Sequence, residues 1–175
     1  MVKGLFVPAD EAEPVRELEL EKLDDYLQAV GGWIEAVDVP ALGITMYVNE
    51  NGLSEKLPFN GRATYLWWFH VPAVRAHAGP VGNAVLVGLP DEEGDSTDVP
   101  ATTHELLTSS ERYVVLMKID GSWFRHRNVN RDYWEAILWA MIKLTREPEI
   151  EDVNVVTESE ADNYPDRPIP PIGTF

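Results

Sequence analysis

Five polar side chains fall within sixteen residues of one another, at Asn49, Glu50, Asn60, Arg62 and Thr64. They offer two amides, a carboxylate, a guanidinium and a hydroxyl. A guanidinium can grip a carboxylate or phosphate bidentately. Free N–H groups in the first turn of a helix suit an anion. Asn60 stands where it would cap a helix opening at Gly61-Arg62-Ala63-Thr64. These five residues are therefore the candidate ligand site. The competing reading is structural: an Asx-turn and a helix cap that fix a loop, with Glu50 and Arg62 as a local ion pair.

Other chemistry is poorly provided for. No cysteine is present, which removes disulfides, thiolate metal sites and a thiol nucleophile. His70, His77, His104 and His126 fall in no metal-ligand spacing. No P-loop, G-x-G-x-x-G or G-x-S-x-G occurs, and the serines have no evident base partner. No catalytic residue, metal ligand or cofactor is therefore expected, and an enzyme is disfavoured. Trp123 to Asn128 is the one basic, aromatic patch. Arg125 and Arg127 are expected to pair with carboxylates rather than with nucleic acid.

The segment after the polar cluster, Tyr65-Leu-Trp-Trp-Phe-His70, is the densest in aromatics. Consecutive aromatics on a helix cannot all face one core. Tyr65, Trp67 and Trp68 are thus candidate protein-interface residues, as is Trp139, set off from its helix stripe. The alternative is that both faces of that helix are covered from within the protein.

Charge points the same way. The 175 residues carry 30 Asp and Glu against 14 Lys and Arg, a formal net charge of −16. Such a chain repels nucleic acid and anionic lipid and attracts basic partners. Asp10–Asp25 and Glu147–Asp166 each contain eight acids. Two acid runs raise the possibility of DNA mimicry, although a charge run is ordinarily a solvated face. No apolar run approaches the roughly 20 residues of a membrane span. The opening Met1–Pro8 is too short for a signal-peptide core, so a cytoplasmic protein is expected.

The elements that must position these groups read as α+β. Strands are expected at Val2–Val7, Trp33–Val39, Leu42–Val48 and Val81–Gly88. One helix carries the stripe Leu20, Leu23, Leu27 and Val30, with Pro14 near its start and Gly31-Gly32 at its end. A second helix spans Asn60–Val71 and stops at Pro72. The first part, residues 1–89, thus reads β-α-β-β-α-β. Residues 90–104 have the composition of an acidic loop or linker. Residues 105–157 read β-β-α-β: strands Arg112–Ile119 and Ser122–Val129 about an Asp120-Gly121 turn, a helix capped by Asn130, and strand Val153–Thr157. That helix carries Trp134, Ile137, Leu138, Met141 and Leu144 on one face. Residues 158–175 form a proline-rich acidic tail, expected to be extended or loosely packed. The sequence leaves open whether the two sheet-plus-helix units share one core.

Four patches then carry a resemblance: Leu27–Glu35, Met46–Gly52, Leu57–Thr64 and Val81–Gly88. In this order they resemble the domain of unknown function 3846 family over the first half of the chain. The second half resembles small α+β modules of phage proteins. The resemblance implies a phage or mobile-element origin and a bacterial host cytoplasm, and it marks Asn49, Glu50, Asn60, Arg62 and Thr64 as the motif positions. It brings no activity with it. The expected function is that of an accessory protein. It would bind a host or phage protein with a basic surface, engaging neither nucleic acid nor membrane directly. The alternative is a protein that binds or sequesters a small anionic ligand or nucleotide through the Asn49–Thr64 loop.

Overall fold

A computed structural model describes residues 1–169. The chain forms two compact units, residues 1–109 and from Ser110 onward.

The first unit is an antiparallel sheet of five strands in the order β2-β1-β5-β4-β3. They are β1 (Val2–Val7), β2 (Arg16–Leu20), β3 (Ile34–Val39), β4 (Ile44–Asn49) and β5 (Ala84–Gly88). β1 and β5 are nearly all apolar because they lie inside the sheet with both faces covered. Helix α1 (Leu23–Val30) covers one face, where Tyr26 and Val30 pack with Phe6, Leu20, Val85 and Val87. Alternation puts Leu5, Val7, Met46 and Leu86 on the other face, and all four are fully buried.

The expected Leu20–Val30 stripe divides into two elements. Glu17, Leu18, Glu19 and Leu20 alternate with period two, which suits a half-covered strand, and they form β2. The helix begins only at Leu23. The Asp25 carboxylate accepts the N–H groups of Glu21 (2.7 Å) and Lys22 (2.9 Å), which fixes the start. Those two bonds also hold its pKa below the usual carboxylate value. Gly31, at φ 76°, closes the helix as expected.

Of the expected acidic loop or linker, residues 90–100 are a loop, and it folds back on the sheet. Thr97 returns to pair with Gly88, and Gly88 N–H donates to Thr97 O at 2.8 Å. Val99 N–H donates to Lys3 O (3.0 Å), and Lys3 N–H donates to the Asp98 carboxylate (2.8 Å). A helix that the sequence reading lacks, α3 (Ala101–Thr108), follows, and its buried Thr103 hydroxyl donates to Leu42 O at 2.6 Å. Composition hides this segment because its order comes from backbone bonds rather than from an apolar stripe. The first unit therefore runs β-β-α-β-β-α-β-α. Its second helix is α2 (Gly61–His70).

The second unit follows the expected β-β-α-β order. β6 (Tyr113–Ile119) is the central strand of a three-stranded antiparallel sheet, flanked by β7 (Ser122–Asn130) and β8 (Asp152–Thr157). Asp120 and Gly121, at φ 49° and 75°, make the expected tight turn. Helix α4 (Tyr133–Arg146) is capped by Asp132, whose carboxylate accepts Glu135 N–H at 2.9 Å. Asn130 is not the cap: it is buried in β7 and donates to Tyr113 O at 3.2 Å. The buried stripe is Tyr133, Ala136, Ile137, Ala140 and Met141. The expected members Trp134, Leu138 and Leu144 are only half-buried. Small Ala136 and Ala140 occupy the centre of the buried face, which the larger residues flank.

The tail is not wholly extended. Glu158–Ala161 forms a short helix, α5, with a Thr157–Glu160 capping box. Arg125 N–H then donates to Pro165 O, and Arg167 N–H to Arg125 O, which fastens residues 165–167 along β7. Pro170 and Pro171 of the predicted tail lie outside the described residues.

Candidate functional site

The polar cluster of the first unit divides into buried and exposed groups. Asn49 ends β4 at 4% exposure; its side-chain oxygen accepts Asn51 N–H at 2.8 Å, an Asx-turn. Its amide donates toward Val30 O (3.4 Å) and the Glu55 carboxylate (3.3 Å). Asn60 and Thr64 are both at 0% exposure. Asn60 Oδ1 accepts Ala63 N–H at 3.0 Å, the predicted cap of α2. Its Nδ2 also donates to Val7 O (3.0 Å) and Gly82 O (2.9 Å). Thr64 Oγ1 donates to Pro80 O at 3.3 Å. Arg62 Nη2 donates to the carbonyls of Pro8 (3.0 Å), Asp10 (2.9 Å) and Glu13 (2.8 Å). Glu50 is exposed at the turn after β4.

The cluster therefore grips its own backbone. Asn60 joins the start of α2 to β1 and to the entry of β5. Arg62 collects the loop after β1. Four of the five side chains, Asn49, Asn60, Arg62 and Thr64, hydrogen-bond to protein partners, in line with the Asx-turn and helix cap of the structural reading. The carboxylate that meets Asn49 is Glu55, which the sequence reading passed over because it stands six residues along a turn.

The aromatic helix is arranged differently. Tyr65, Trp67, Trp68 and Phe69 are all half-buried, so the helix shows no single apolar face. Phe59 meets Tyr65 edge-to-face at 6.2 Å between ring centres, and Tyr65 meets Trp68 in the same way at 5.8 Å. Phe59 is 51% exposed. A methyl group placed on Gly61 would lie 3.0 Å from Glu11 Oε1, 3.6 Å from Tyr65 Cε2 and 3.7 Å from Phe59 Cε1. An exposed carboxylate and an aromatic ladder thus converge on the first turn of α2. Trp67 is outside the ladder. Trp139 lies on α4 of the second unit and is 46% exposed. Phe59 and Glu11 are the contributors the sequence did not reveal; an aromatic immediately before a helix cap was the available signal.

His70 sits half-buried at the end of α2, and burial pushes its imidazole down to about 4 from 6.5. Between those values the unfolded chain binds the proton and the folded chain does not. Stability is therefore full above pH 6.5 and falls as the pH drops toward 4. His126 is lowered too, by burial and then by Lys143, and adds to the same slope. His70→Asn is expected to flatten the dependence, read as urea midpoints from about pH 7 to about pH 4.5.

The two acid runs differ. In the second unit, Arg167 pairs with Glu147 and, at 2.8 Å, with Glu149; Arg112 pairs with Glu158 at 2.6 Å; Arg125 meets Asp162 at 3.0 Å and Asp166 at 3.9 Å. Burial raises the Glu147 carboxyl, but its bonds to Lys143 and Arg167 outweigh this and leave it below its ordinary value. The expected pairing of Arg125 with carboxylates is thus present. In the first unit Asp10, Glu11, Glu13, Glu17, Glu19, Glu21 and Asp24 are exposed; Glu17 pairs with His104 at 2.6 Å and Glu13 with Arg16 at 4.0 Å.

The first unit is thus an α+β protein built on an antiparallel sheet, with a self-bonded polar loop and an acidic, aromatic exterior. A family model for a domain of unknown function (DUF3846) matches residues 2–110, and the chain belongs to that family. The match ends within one residue of the end of the first compact unit. No curated protein and no solved structure matches the chain. Among the described residues no helix is long and apolar enough to cross a membrane.

Proposed function

We propose that the protein acts by binding another protein, without bond-making chemistry of its own, through the acidic and aromatic exterior of its first unit. The observation that carries this reading is the Phe59–Tyr65–Trp68 ladder converging with Glu11 at the start of α2. A guanidinium or ammonium group docking there meets a carboxylate and ring faces together. The net charge of −16 speeds encounter with a basic partner and opposes phosphates. The partner is a host or phage protein of a bacterial cytoplasm, and the role is that of a phage or mobile-element accessory factor acting on nucleic-acid handling or defence. The anion-sequestering alternative is disfavoured because Asn49, Asn60 and Thr64 are turned to internal partners.

The test is capture from a bacterial lysate at low and high salt, with retained proteins identified by mass spectrometry. The wild-type chain is expected to retain a specific basic protein at low salt. Phe59→Ala with Glu11→Lys is expected to lower its recovery about tenfold, the effect of one hot-spot contact. Equal recovery by the variant, or no specific retention, removes the reading.

A further inference from the structure

β2 is an edge strand. Its inner side pairs with β1 from Val2↔Leu20 to Phe6↔Arg16, and among the described residues no strand pairs with its outer side. Such an edge presents unpaired N–H and C=O groups. Charged side chains alone would be an ordinary guard against aggregation. A guard, however, does not require a groove on each side of the strand, and β2 has both. Alternation places Glu17 and Glu19 on the face of Lys3 and Leu5, their register partners, and Leu18 and Leu20 on the face covered by α1. On the first face lies a groove of about 970 Å³ whose carboxylates are Glu17, Glu19 and Asp98, with Lys3 and His104 as its basic groups. On the second lies a mixed depression of about 430 Å³, with Leu18 and Ala29 beside Asp25 and with the Arg16 guanidinium 4.0 Å above the Phe6 ring.

We propose that β2 accepts an extended segment of a partner protein as an added strand, in which Lys or Arg alternates with aliphatic residues. The partner's backbone satisfies the free edge. Its basic side chains enter the acid groove, and its aliphatic side chains pack against the half-exposed Leu18. Charge selects this occupant. A second copy of β2 would set Glu17 and Glu19 against their own counterparts, and like charges across a strand pair repel. Glu17 is 2.6 Å from His104 Nε2, a contact that an incoming cation replaces. This edge is a different surface from the Phe59 ladder.

The probe is a fluorophore-labelled peptide of about seven residues alternating Lys and Val, titrated with the full chain by anisotropy. Comparators are the same composition in block order, a Glu–Val alternation, and the Lys–Val peptide N-methylated at alternate residues in each of the two phases. The expected result is binding of the Lys–Val alternation, loss with the Glu–Val peptide and with at least one N-methylated phase, and slowed hydrogen exchange across Arg16–Leu20. E17K/E19K, which changes two exposed side chains, is expected to weaken binding about tenfold or more. No binding, equal binding of the block-order peptide, or indifference to E17K/E19K overturns the proposal. Slowed exchange at these amides that rises with protein concentration, without peptide, assigns the edge to a second copy and also overturns it. Phe59→Ala is expected to keep full peptide binding, so the two tests fail separately.

Discussion

Asn60→Ala is expected to lower the free energy of unfolding by about 3–5 kcal/mol, the sum of a lost helix cap and two buried carbonyls left without a donor. The side chain is fully buried and joins three elements: its oxygen accepts Ala63 N–H, and its amide donates to Val7 and Gly82. The informative comparison is Asn60→Asp. As a helix cap, Asp is as good as Asn. If capping were the whole role, the Asp variant would be close to neutral. Because the amide also donates to two buried carbonyls, Asp sets an oxygen against them and buries a charge. Its cost is expected to equal or exceed that of Ala. Urea denaturation followed by tryptophan fluorescence reads both variants, and an Asp variant as stable as the wild type would reduce Asn60 to a cap.

The second large effect is expected at Gly88. A methyl group there would fall 2.2 Å from Thr97 Oγ1 and 2.3 Å from the Asp98 carbonyl oxygen. The Asp98 oxygen belongs to the backbone and cannot rotate away. Gly88→Ala must therefore separate the end of β5 from the returning 97–98 segment, breaking the Gly88–Thr97 bridge. A cost of about 3 kcal/mol is expected, at the upper end of overpacking effects. The change also has a local signature. Asp98 caps Lys3 N–H and contributes to the acid groove beside β2. The amides of Lys3 and Val99 should exchange faster in the variant than in the wild type. Unchanged exchange at those two amides would mean that the segment is held by other contacts.

Much of this fold is legible in the amino-acid sequence. Runs such as Ala84–Gly88 and Tyr113–Ile119 are apolar because interior strands are covered on both faces. Asp120-Gly121 and Gly31 are conformational signals that read directly as a hairpin turn and a helix end. The Asn60 cap is equally local. Helix α3 was not legible, nor was the division of the Leu20–Val30 stripe. The first has no strong apolar face, and in the second a period-two segment runs straight into a helix.

The sequence by itself determined the α+β class, the β-β-α-β order of the second unit, the acid excess and the position of the α2 cap, because each depends on local patterning or on composition. Tertiary structure decided what the polar groups do. Asn60, Arg62 and Thr64 have donors and acceptors suited to a ligand, and only the return of residues 7–13 and 80–82 beside them supplies internal partners. It also decided that Glu17 and Glu19 stand on an open edge, since which strand ends a sheet depends on the order of pairing and not on any one strand's residues.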